Sequence, residues 1–153
     1  MVGIHHRIGI KAPAEDVYKA IATIDGVAAW WTRETSGSSS KKGDTVDVRF
    51  TAPDGTEKGR MAFDVTELDR DRKVQWRFRS GPEEWIGTEV VFDLKQEGDQ
   101  TIVLFSHDKW REQVEFMSHC SMKWATFLLS LRELVETGAG RPSPDDLKID
   151  NWN

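Results

Sequence analysis

Four histidines, one cysteine and a scatter of carboxylates are the residues of this chain that could move a proton, hold a metal or attack a carbonyl. His107 is the most informative. It follows Val103 and Phe105 at period two, so its ring belongs on the face those apolar side chains share. His6 shares a face with Ile4, Ile8 and Ile10 by the same spacing. An enclosed apolar site can move the pKa of a histidine or carboxylate towards the working pH. His107, His6 and Asp108 are therefore the candidate catalytic residues, for proton transfer on a bound organic substrate. The competing reading is a histidine held by ordinary hydrogen bonds at the end of a sheet.

Other combinations carry less. Ser106, His107 and Asp108 are consecutive in a strand pattern, so alternation separates the serine and aspartate from the histidine and no triad converges. His5 and His6 diverge on a strand, as His119 and Cys120 do on a helix, so neither pair chelates a metal and no zinc-like ligand set exists. Cys120 lies in an apolar stripe and reads as a small buried residue. No glycine-rich phosphate loop or dinucleotide fingerprint occurs, so no cofactor is implied.

The elements that must position these residues follow from periodicity. A first strand runs from Ile4 to Ile10. Pro13 sits where a first helical residue would, Val17, Ala20, Ile21 and Ile24 repeat at helical spacing, and Gly26 reads as the stop. A second short helix carries Trp30 and Trp31, and Ser36 to Gly43 reads as an exposed loop. Alternating strands then centre on Val48, Phe63, Trp76, Phe92 and Phe105, separated by turns at Pro53-Asp54-Gly55, Asp69 to Arg72, Gly81-Pro82 and Gly98-Asp99. From about Ser118 the period becomes helical through Cys120, Trp124, Phe127, Leu128, Leu131, Leu134 and Val135, with Gly138 or Gly140 ending the helix. The residues after Arg141 read as a surface tail on a single domain spanning 1–153.

Composition narrows the function classes. The 153 residues are 38% hydrophobic and 31% charged, which suits a globular fold, and no apolar run approaches the roughly 20 residues of a membrane helix. A formal net charge of −5 argues against a nucleic-acid partner. One cysteine cannot form an intrachain disulfide and the N-terminus lacks an apolar export segment, so a cytoplasmic location is expected, with no membrane partner. Seven tryptophans and seven phenylalanines must fill a core or line a hole.

Geometry frames that choice. About six strands at roughly 4.8 Å spacing span about 25 Å, whereas a helix is about 10–12 Å across. The sheet must curl round the helix, leaving space for large rings or for a ligand. Phe50, Phe63, Trp76, Phe78, Phe92 and Phe105 of the strands and Trp124 and Phe127 of the helix face that space. Of the adjacent Trp30 and Trp31, one ring is expected inside and one nearer the surface, with Trp85 and Trp110 on loops at the mouth. Together with His107 these are the candidate ligand-binding residues.

The terminal stretch His119-Cys120-Ser121-Met122-Lys123-Trp124 through Phe127-Leu128, Ser130-Leu131 and Val135-Glu136-Thr137-Gly138, with Pro13 to Val17, Trp30-Trp31, Phe105-Ser106-His107 and Trp110, resembles the START-like (SRPBCC) superfamily. Within it the chain is similar to bacterial polyketide cyclase/dehydrase-type proteins and to homologues of the heat-shock-protein ATPase activator's C-terminal domain. The resemblance implies an α+β helix-grip fold, a curved antiparallel sheet wrapped round a long C-terminal helix, with a ligand cavity between them. It implies binding of a small hydrophobic or aromatic molecule. The alternatives are a cyclase-like acid–base enzyme using the same cavity, and a cochaperone-like or dimerising module. For the last, Val91, Ile102 and Leu104 form a candidate homodimer patch on the outer sheet face.

Overall fold

Alternating burial runs along most strands of the computed structural model, which describes residues 2–153. The strands are β1 (Val2–Ile10), β2 (Glu34–Gly37), β3 (Thr45–Thr51), β4 (Glu57–Asp69), β5 (Lys73–Ser80), β6 (Glu89–Glu97) and β7 (Gln100–Trp110). They form one seven-stranded sheet in the order β1-β7-β6-β5-β4-β3-β2, every neighbouring pair antiparallel. The first and last strands are thus neighbours, with Ile4 opposite His107 and Ile10 opposite Thr101.

β2 is an edge strand where the sequence suggested the start of a loop. Glu-Thr-Ser-Gly offers no apolar alternation, and only its pairing with Val46–Arg49 of β3 makes it a strand.

Three helices pack on the concave face: α1 (Ala14–Ala22), α2 (Ile24–Trp30) and α3 (Glu115–Thr137). Pro13 precedes α1 as its extended cap rather than its first turn. Thr23 closes α1 and caps α2, its hydroxyl accepting the Gly26 N–H at 3.0 Å. Gly26 therefore lies inside α2 and does not end a helix. A Cβ there would stand 2.4 Å from the Ala20 carbonyl oxygen, so glycine permits the close approach of α2 to α1. Gly138 takes the left-handed conformation at φ 93° after α3, its N–H returning to the Leu134 carbonyl at 2.8 Å. Among the described residues, no helix is long and apolar enough to cross a membrane.

The tail does not stand off as a surface extension. Ser143 pairs with Thr32 in a parallel bridge, its N–H donating to the Trp31 carbonyl at 2.8 Å. The Ser130 hydroxyl on α3 donates to the Trp30 carbonyl and accepts the Arg141 N–H, both at 2.8 Å. One buried serine thus joins α2, α3 and the tail.

Candidate functional site

Most of the space between sheet and α3 is occupied by rings. Trp31 is the hub, stacked on Trp76 at 5.6 Å, on Trp124 at 5.1 Å and on Trp30 at 6.2 Å between centroids. Trp76 stacks on Phe63 at 4.2 Å and meets Phe92 edge-on at 5.0 Å. Trp30 and Trp31 are both buried, at 0% and 2% exposure, contrary to the expectation that one would lie near the surface. The end of α2 is wedged between sheet and α3. Each direction away from it therefore leads into protein: Trp30 meets Phe92 of β6, and Trp31 meets Trp124 of α3. Trp85 ends a one-turn 3₁₀ helix, Glu83–Trp85, and Trp110 ends β7, and both are buried rather than set on exposed loops.

His107 lies within this packing with 0% exposure. The Trp124 indole N–H donates to its Nδ1 at 3.1 Å. The ring proton must then sit on Nε2, which donates to Thr88 Oγ1 at 2.8 Å, and the Thr88 hydroxyl donates to the Trp85 carbonyl at 2.6 Å. Burial pushes the pKa of His107 down to about 3. A neutral ring with both nitrogens engaged has none free for a substrate.

His6 does not meet His107. Its Nε2 lies 3.1 Å from the Ser121 carbonyl and 3.3 Å from that residue's hydroxyl, and its ring stacks on Phe105. Asp108 points to the opposite face of β7, where it pairs with His5 at 3.2 Å. The three candidate catalytic residues are therefore dispersed. Among the described residues, no group of three or more His, Cys, Asp or Glu side chains is gathered to hold a metal.

What stays open is a cleft of about 210 Å³ at one end of the ring pack, between α3, the β3–β4 hairpin and the tail. Five of the expected ligand-binding residues border it: Trp31, Phe50, Trp85, Trp124 and Phe127. The other eight (Trp30, Phe63, Trp76, Phe78, Phe92, Phe105, His107 and Trp110) are core. The remaining walls come from residues not expected to bind a ligand, chiefly Met61, Phe116, His119, Cys120 and Lys123, with Asp146, Lys148 and Trp152 of the tail. A signal for part of this set existed. Phe116, Cys120, Lys123 and Phe127 recur at spacings of four, three and four, one face of a helix that carries a charge among its apolar residues.

The cleft's polar groups are concentrated where the tail docks. Lys123, 13% exposed along its side chain, forms an ion pair with Asp146, itself 6% exposed, and donates to the Leu147 carbonyl at 2.8 Å. Its ammonium also lies 5.1 Å from the centre of the Phe127 ring. Lys148 holds the other oxygen of Asp146 at 3.1 Å. Burial works to raise the Asp146 pKa, but the hydrogen bonds and charges of Lys123 and Lys148 outweigh it and hold the carboxyl below its ordinary value. His119 Nδ1 lies 2.7 Å from Asp150 Oδ2, and Trp152 closes over His119 and Phe116 at 5.4 and 6.3 Å. Burial pushes the Cys120 thiol up to about 12, so it is a wall and not a nucleophile.

Comparison with known proteins adds a family. The family model described as Activator of Hsp90 ATPase homolog 1-like protein matches residues 11–136. Among solved structures, the Aha1 dimer from Colwellia psychrerythraea is 44% identical, with a TM-score of 0.80 over 92% of this chain and 100% of that one. CalU16 from Micromonospora echinospora is 20% identical, with a TM-score of 0.71 over 93% of this chain and 77% of its own. DynU16, from the dynemicin biosynthetic locus, is 17% identical, with a TM-score of 0.76 over 90% of this chain and 48% of its own. These last two share the fold. No curated protein matches the sequence.

Proposed function

The chain belongs to the Activator of Hsp90 ATPase homolog 1-like family, and from that premise we propose that it is a cytoplasmic protein that binds a small, mostly apolar organic molecule in the tail-covered cleft. The observation that carries this reading is the cleft itself, about 210 Å³ bounded by the rings of Trp31, Phe50, Trp124 and Phe127. A dry apolar cavity of about 150 Å³ accommodates benzene, so the space suits one ring with a short substituent. It is smaller than the roughly 300–1,000 Å³ of pockets for drug-sized ligands. Acid–base catalysis at this place finds no support in His107, His6 or Asp108, none of which borders the cleft.

Native mass spectrometry of freshly purified protein tests the binding role. A non-covalent adduct of one small molecule per chain, lost on denaturation, is the expected result. Bare protein that also takes up no mono-aromatic compound when these are added would refute it.

A second reading, a homodimer, is favoured by one observation. The Colwellia psychrerythraea relative, at 44% identity, was solved as a dimer. The patch expected on the outer sheet face is smaller than its three members suggested. Leu104 is 41% exposed, whereas Ile102 is only 3% exposed and Val91 is half-buried.

A further inference from the structure

The ligand's chemical class can be read from the charges around the cleft. We propose that the occupant is a monocyclic aromatic carboxylate, its ring against Trp124 and Phe127 and its carboxylate on Lys123, in the position that Asp146 of the tail holds in this structure. The proposal rests on the binding role of the cleft.

The protein as a whole is acidic, with a formal net charge of −5. The cleft is the reverse in its side chains, bordered by Lys58, Lys123 and Lys148 against the single side-chain carboxylate of Asp146. Lys123 is the decisive residue. Its ammonium lies in a water-poor position between the Phe127 ring and the tail, and the tail supplies its anion. Burial holds the Lys123 pKa below its ordinary value and the carboxylate of Asp146 works against that, so an anionic replacement for Asp146 is favoured over a neutral one. Exchange of one carboxylate for another leaves the number of ion pairs unchanged.

A neutral ligand that moved the tail would strand Lys123, and a cationic one would meet three lysines. A carboxylate head group offers Lys123 its acceptor, and an aromatic body matches the ring walls. Asp146 is accordingly the ligand's internal competitor, and the tail is displaced by acids in preference to neutral molecules.

Isothermal titration of the full chain with phenylacetate, phenylacetamide and benzyl alcohol tests this. Phenylacetate is expected to bind at least about tenfold more tightly than its uncharged amide, as for charge-assisted against neutral hydrogen bonding. Lys123→Met should abolish that preference. Asp146→Asn, which removes the competitor and leaves Lys123 in place, should tighten phenylacetate several-fold while leaving the amide within about twofold. Equal binding of acid and amide, or a preference untouched by either variant, overturns the proposal. If benzyl alcohol and the amide bind as well as the acid, the cleft's binding role stands and only the acid class falls. If none of the three binds, both fall.

Discussion

A tryptophan indole can only donate, so the Trp124–His107 bond leaves the histidine with a single arrangement of its proton. The ring then serves as a connector, tying α3 through Trp124, and the Trp85 turn through Thr88, to β7. His107→Ala should destabilise the fold by about 2–4 kcal/mol in urea unfolding, from the cavity left and the Trp124 indole donor orphaned. A change within about 0.5 kcal/mol would show that the network does not hold the elements together. The same residue sets a pH response. The folded pKa of about 3 lies well below the value of about 6.5 for an unfolded histidine, so on acidification the unfolded chain takes the proton first. His107's contribution is complete above about pH 6.5 and declines by about 1.4 kcal/mol per pH unit below it, until the folded ring is itself protonated near pH 3. The difference between wild-type and His107→Ala stability should shrink across pH 6 to 5 by about that slope. A difference independent of pH would contradict a neutral buried ring.

Among the elements, Ser130 has the most connections for its size. It is 4% exposed, and its hydroxyl satisfies the Trp30 carbonyl of α2 and the Arg141 N–H of the tail. Ser130→Ala should lower stability by about 1–3 kcal/mol and speed amide hydrogen exchange in residues 141–150. Unchanged exchange there would mean that the tail is held by its ion pairs alone. Val74, Trp76 and Phe78 announce β5 because a half-buried strand must alternate. The Gly138 stop was equally legible, because a glycine after a long apolar stripe supplies the left-handed turn. Glu34–Gly37 carries no such pattern, since an edge strand of small polar residues is made by its partner. The tail's role was hidden for a related reason. Prolines and aspartates read locally as a solvated turn, whereas the meaning of Asp146 lies in Lys123, 23 residues away in sequence. Which rings line the cleft was likewise out of reach, because period-two spacing assigns a face of the sheet but not a depth along it.

At the scale of the whole molecule, a broad sheet closes round one helix by packing rings through most of the interval and leaving the remainder at one end. The tail then covers that end with the Lys123–Asp146 ion pair and the Trp152 ring. The 44% identical relative was solved as a dimer, which makes self-association a property to measure. Sedimentation equilibrium at tens of micromolar should return twice the chain mass, and a single-chain mass would remove the dimer reading. The central claim concerns the cleft, and the seven tryptophans allow it to be tested site by site. In ¹H–¹⁵N spectra of the indole groups during titration with phenylacetate, Trp31, Trp85, Trp124 and Trp152, which border the cleft, should shift in a saturable manner. The signals of Trp30, Trp76 and Trp110, packed away from it, should stay in place. No saturable shift at any of the four, or shifts confined to the other three, would contradict the account.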